Sequence, residues 1–200
     1  MAKLRAVLTS DTSGSMKGKK IRNSKQAQKD FIDKLAGDSL VGLVSFGGKV
    51  NLTHELTGNL TELKKALAGT SANGGTPMYK ALQLSYDLLA GRDTGFKIQD
   101  LFGPSNNKKT NPPPKGQKRV LVLSSDGKAN GGGSKREILQ LGRQIRDKGI
   151  RIITIAIGSS ADISLLKKLA SSEEDFHIAQ FSGELPDLYE EVAAGLIVAE

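Results

Sequence analysis

The sequence predicts a doubly wound α/β fold, with a mostly parallel central sheet, one antiparallel edge strand and helices on both faces. Three observations carry this expectation. Strand-like and helix-like segments alternate along most of the chain, the order that builds helix-covered parallel sheets. Two strand-like runs, 119–124 and 151–157, are almost continuously apolar, as strands covered on both faces are. A second pair, 39–46 and 49–56, is joined through Gly47-Gly48, a turn tight enough to make its strands antiparallel.

The elements follow in order. A first strand begins at Arg5 and runs to the loop at Asp11. Residues 20–36 place Ile21, Ala27, Phe31, Ile32 and Leu35 near helical spacing. A short helix over 59–67 has Asn59 as its cap. The next, 78–89, is opened by Thr76-Pro77, proline being favoured where its missing N–H would be unpaired anyway. Beyond the 119–124 strand come a helix at 134–147, the strand at 151–157 and a helix at 162–170. A short strand at 176–179 and a closing helix at 185–198 end the chain. In sheets of this kind, ligands sit beyond the carboxyl ends of the strands, where the strand order reverses.

Two hundred residues suit a single domain over 1–200. With 4% aromatic residues and no Trp, its core must be built from Leu, Ile, Val and Ala. The absence of Cys excludes a disulfide framework, a thiolate metal site and a cysteine nucleophile. The N-terminus shows no apolar leader region, and no run approaches the roughly 18 apolar residues of a membrane span. A cytoplasmic location is expected. The net charge of +8 keeps a domain dispersed, and it also suits an acidic partner. Much of the excess falls in 91–118, a Gly/Pro/Asn-rich stretch with Pro112-Pro113-Pro114, too long for an ordinary connection. It reads as an exposed basic insertion loop within the domain.

Three motifs carry chemistry. Asp11-Thr12-Ser13-Gly14-Ser15 follows the first strand and sets a carboxylate and two hydroxyls at alternate positions. Asn73-Gly74-Gly75-Thr76-Pro77 brings a hydroxyl to a helix start, and Ser124-Ser125-Asp126-Gly127 ends a later strand with a second carboxylate. Hard oxygen donors of this kind suit Mg²⁺, Ca²⁺ or Mn²⁺. Taken singly, each motif is also what a turn or helix cap looks like.

In this order and spacing the motifs resemble the von Willebrand factor type A (vWA) family, and the similarity covers nearly the whole chain. The resemblance implies a three-layer, Rossmann-like domain with a metal-ion-dependent adhesion site (MIDAS). Asp11, Ser13, Ser15, Thr76 and Asp126 would then hold one divalent cation, Mg²⁺ first, with Mn²⁺ or Ca²⁺ as alternatives. It further implies a protein partner that completes the ion's coordination with an Asp or Glu carboxylate. Stand-alone prokaryotic members, which this chain resembles more than secreted adhesins, often serve ATPase-linked or assembly complexes. Thr9 and Ser10 depart from the family in lying where it is usually apolar, and Ser125 stands where Thr is frequent.

Competing signals are weaker. Gly14 to Lys20 has the wrong spacing for a phosphate loop. An EF-hand fails because Arg22 stands where its bidentate Glu belongs. His54 and His177 fall in separate strand-like segments, so no general base is visible and no enzyme is expected. Lys17, Lys19 and Lys20 lie near the metal end, with Gly75, as candidate partner-binding residues. A nucleic-acid or ribonucleoprotein partner is the alternative reading, against which stands the scarcity of aromatic residues. A metal-dependent hydrolase is a more distant one.

Overall fold

The computed structural model describes residues 4–35, 37, 39–92, 113–114 and 116–198. The basic insertion expected over 91–118 therefore lies largely outside the described residues. At its start, Arg92 folds back on the preceding helix, with its guanidinium 4.6 Å over the Tyr86 ring.

Six strands form one sheet: β1 (Leu4–Asp11), β2 (Ser39–Phe46), β3 (Val50–Thr57), β4 (Lys118–Ser125), β5 (Ile150–Ile157) and β6 (Phe176–Ala179). Their order is β3-β2-β1-β4-β5-β6. All neighbours are parallel except β2 and β3, as the Gly47-Gly48 turn requires. The helices are α1 (Lys19–Lys34), α2 (Leu60–Ala68), α3 (Met78–Ala90), α4 (Lys135–Asp147), α5 (Ile163–Leu169) and α6 (Leu185–Val198). None among the described residues is long and apolar enough to cross a membrane.

Side-chain alternation along the strands separates two cores. On one face Leu8 of β1 and Val122 of β4 join Phe31 of α1, Leu63 of α2 and Tyr189 of α6. On the other, Val7 and Leu121 join Leu82 of α3, Ile138 of α4 and Leu166 of α5. The departures Thr9 and Ser10 fall on these two faces in turn, and both are buried. Thr9 Oγ1 lies 2.7 Å from Ser85 Oγ of α3. Ser10 faces the other way, beside Ser124 and the Tyr189 hydroxyl. No pair among those three oxygens meets strict hydrogen-bonding geometry; burial holds the Tyr189 phenol up at about 12, against the opposing pull of the nearby Ser124 and Ser10 hydroxyls.

Local caps set the helix starts. Asn59 Oδ1 accepts from Glu62 N–H, as its sequence position predicts. Ser134 and Glu137 form a reciprocal capping box that opens α4. Pro77 stands at the cap of α3 rather than just inside it, because Thr76 and Pro77 belong to the loop that serves the site below.

β1 is the point of reversal. The chain leaves it for β2 on one side and later returns to β4 on the other. The loops after β1 and β4 are therefore splayed apart at the carboxyl end, which opens a crevice between them.

Candidate metal centre

β1 ends on Asp11, whose carboxylate is fully buried. Its Oδ1 accepts from the Ser13 N–H at 2.7 Å, and its Oδ2 accepts from Ser125 Oγ at 2.5 Å. The first bond is the turn-capping role that an isolated Asp would play; the second comes from the far side of the crevice. Burial, the largest effect, pushes the Asp11 carboxyl above its usual range, and the Asp126 charge adds to this. The hydrogen bonds from Ser125 and Ser13 act in the opposite sense.

Asp126, just past β4, is equally buried. Its Oδ1 accepts from Ser15 Oγ at 2.6 Å, and its Oδ2 from the Lys20 ammonium at 2.5 Å. Ser13 Oγ lies 3.0 Å from Ser15 Oγ. Ser160 Oγ donates to the Asp126 carbonyl at 2.7 Å, which ties the loop after β5 to the same corner.

The loop before α3 is positioned mainly by backbone bonding. Gly14 N–H donates to the Gly74 carbonyl, Asn73 N–H to the Thr12 carbonyl and Gly48 N–H to the Asn73 carbonyl, at 2.8 to 2.9 Å. Such close approach leaves no room for side chains. A Cβ at Gly47 would lie 2.5 Å from the Thr12 carbonyl oxygen. Gly74, with φ +66°, packs directly on the Gly48 backbone. Asn130 completes the loop, its Oδ1 accepting from Thr76 N–H at 2.6 Å.

The result is a cup of oxygens in front of Gly127. A methyl added there would lie 3.3 Å from Thr76 Oγ1, 3.9 Å from Asp11 Oδ2 and 4.0 Å from Ser15 Oγ. Asp11, Ser13, Thr76 and Asp126 are buried, while Ser15 is exposed at the rim. All five predicted ligand residues are thus brought together. Among the described residues there is no cluster of three or more His, Cys, Asp or Glu; the oxygens that converge here are hydroxyls beside the Asp11 and Asp126 carboxylates. Two buried carboxylates with convergent hydroxyls fit a hard divalent cation.

Of the predicted partner-binding residues, Lys17, Lys19 and Gly75 are exposed at this end, whereas Lys20 is engaged with Asp126. His54 and His177 lie on the edge strands β3 and β6. Sequence reading passed over Asn130, Ser160 and the Ser125 hydroxyl. The only trace of Asn130 is its position ahead of Gly131-Gly132-Gly133 at the same sheet edge.

This architecture has close counterparts among known proteins. The proximal thread matrix protein 1 of the mussel byssus, solved with a zinc-occupied MIDAS motif, superposes with a TM-score of 0.74 at 19% identity, over 98% of this chain and 46% of that one. A pilus adhesin of Lactobacillus rhamnosus GG in its open conformation gives 0.76 at 15% identity, over 98% and 30%. Among curated proteins, the inter-alpha-trypsin inhibitor heavy chain H4 of Bos taurus is 24% identical over 94% of this chain, which spans 20% of that relative's length. Residues 7–191 match the family model for the von Willebrand factor type A domain, a span that takes in all three oxygen-bearing loops, and the chain belongs to that family.

Proposed function

We propose that this domain is a metal-dependent protein-interaction module and catalyses no reaction. The convergence of Asp11 Oδ2, Ser15 Oγ and Thr76 Oγ1 in front of Gly127, at the reversal point of the sheet, is the observation that carries this reading. Asp11, Ser13, Ser15, Thr76 and Asp126 would hold one divalent ion, with Mg²⁺ the best match to an all-oxygen, hydroxyl-rich set. When bound, the ion supplies an electrophilic position that a carboxylate of the partner can fill in place of water.

The chain's own residues do the remaining work. Ser125 and the Ser13 N–H orient Asp11, and Asn130 fixes the Thr76 backbone. Lys17 and Lys19 add positive charge at the rim and steer an acidic partner inward. The domain is taken as one unit over 1–200, with 91–118 as an insertion in it. The nearest competing reading, a nucleic-acid partner for the basic surface, predicts binding that falls steeply with salt.

The test is calorimetric titration of Mg²⁺ and Mn²⁺ into chelator-treated protein, with Asp11→Ala alongside. The expected result is one-site binding that the substitution abolishes. Equal binding by wild type and variant would overturn the assignment of these ligands.

A further inference from the structure

Beside the oxygen cup runs a groove of about 630 Å³ between the β2–β3 turn and α3. Its near wall is Gly75, Pro77 and Asn130, the same backbone and side chain that hold Thr76 in place. The groove is therefore continuous with the metal centre. Apolar surface from Val50, Pro77 and Leu84 lines it, and Lys49 and Lys80 flank it. Both lysines are exposed, and neither forms an ion pair among the described residues. Asp87, the acid in the lining, is already engaged: Gln83 Nε2 reaches its two oxygens at 3.1 Å, and Arg92 lies at 3.5 Å. It does not serve as counter-ion to the lysines.

Resting on the metal-dependent reading above, we propose that this groove is the specificity surface of the same site. It takes an extended acidic segment of a protein partner. One carboxylate of that segment sits at the metal, an apolar side chain enters the groove, and a second acidic side chain meets Lys49 and Lys80. The spacing follows from strand geometry. An extended chain advances roughly 3.3 Å per residue and returns a side chain to the same face every second position. A residue two places beyond the metal-bound acid thus stands on the same face about 7 Å away and is assigned to the groove, and the next on that face is assigned to the lysines that flank it. Two unpaired cations over an aliphatic floor complement an acidic–apolar–acidic pattern. They offer little to a nucleic-acid strand, which needs stacking platforms as well as charge; the groove's aromatic residue, Tyr79, is half-buried.

The probe is a fluorescein-labelled peptide with Asp, then Leu two positions on, then Glu two beyond, separated by Gly. A control peptide replaces the Leu and Glu with Gly, and an oligothymidylate of equal charge is the third ligand. Fluorescence anisotropy is read with Mg²⁺ and with chelator, on wild type and on a Lys49→Glu/Lys80→Glu variant, whose exposed positions leave the fold unaffected. The Mg²⁺ affinity of each protein is measured separately. At least tenfold tighter binding of the patterned peptide, in Mg²⁺ only, is the expected result. That advantage should vanish in the variant while its Mg²⁺ affinity stays within twofold of wild type. Equal binding of both peptides, an unchanged advantage in the variant, or tighter binding of the oligonucleotide would overturn the proposal. If Mg²⁺ itself fails to bind, the metal reading fails; if Mg²⁺ binds and no peptide does, the groove proposal alone fails.

Discussion

Replacing Ser125 with Ala removes one oxygen from the floor of the cup and leaves the backbone alone. That oxygen donates to Asp11 Oδ2 at 2.5 Å and accepts from the Gly127 N–H at 3.2 Å. Losing a hydrogen bond to a buried carboxylate costs about 1.5–3 kcal/mol. Gly127 is half-buried, which leaves room for water to replace that partner at little further cost. Metal-free protein should lose roughly 2–3 kcal/mol, which for a domain of this size lowers Tm by about 4–12 °C. The Ser125 bond is also the largest influence holding the Asp11 carboxyl down. The stabilisation it gives is therefore present at neutral pH and fades as acid protonates Asp11. Loss of an outer partner of a ligand typically weakens metal binding about 10–100-fold. By linkage, the stability deficit must then widen in saturating Mg²⁺. Urea denaturation in chelator and in Mg²⁺ reads both quantities. A deficit in chelator below about 0.5 kcal/mol would refute the reasoning about Asp11, and full rescue by Mg²⁺ would refute the role of Ser125 in presenting it.

Further predictions concern the opposite end of the polarity scale. Tyr189→Phe keeps the edge-to-face contact with Phe31, at 5.9 Å between ring centres, and deletes a buried hydroxyl without a partner. Stability should be unchanged or higher by about 1 kcal/mol; a loss larger than this in urea denaturation would show that the hydroxyl is paired. His177 is held below its usual pKa, chiefly by burial, against the opposing pull of Glu191 and Asp175 and with a smaller contribution from Arg151. The unfolded chain therefore binds the proton first, so the contribution of His177 is present above about pH 6.5 and is lost as pH falls through the folded value. The urea midpoint of wild type should fall faster than that of His177→Gln between neutrality and pH 5; parallel curves would exclude the effect.

The fold was legible because its signals are local. Apolar runs marked β4 and β5 as covered on both faces, and Gly47-Gly48 marked the antiparallel pair. Helix starts shifted by a residue where the cap had been counted into the helix, as at Asn59 and Ser134. The residues that converge on the cup were legible for a different reason. Asp11, Ser13 and Ser15 sit at alternate positions in one loop, so a single short stretch announces them, and Thr76 and Asp126 complete the family's pattern. What escaped was everything acting across the crevice. Asn130 reaches Thr76 over a separation of 54 residues, and Ser125 reaches Asp11 over 114. No spacing within a loop encodes such contacts. Nor did sequence order show that Thr9 and Ser10 would diverge, one into a hydrogen bond with Ser85 and the other towards Tyr189.

The ammonium of Lys20 on Asp126 bears on how the proposed ion would be taken up. Without an ion, the cup does not confront two bare carboxylates; with both ionised, one tethered cation already cancels half of their charge. On the proposed function, a divalent ion arriving at Asp126 would enter by exchange, contending with a group that cannot diffuse away. The proposed ion would add two positive charges to a rim that Lys17 and Lys19 already make basic. An acidic partner would then be drawn more strongly to the filled cup than to the empty one, so that ion and partner would be coupled before they touch.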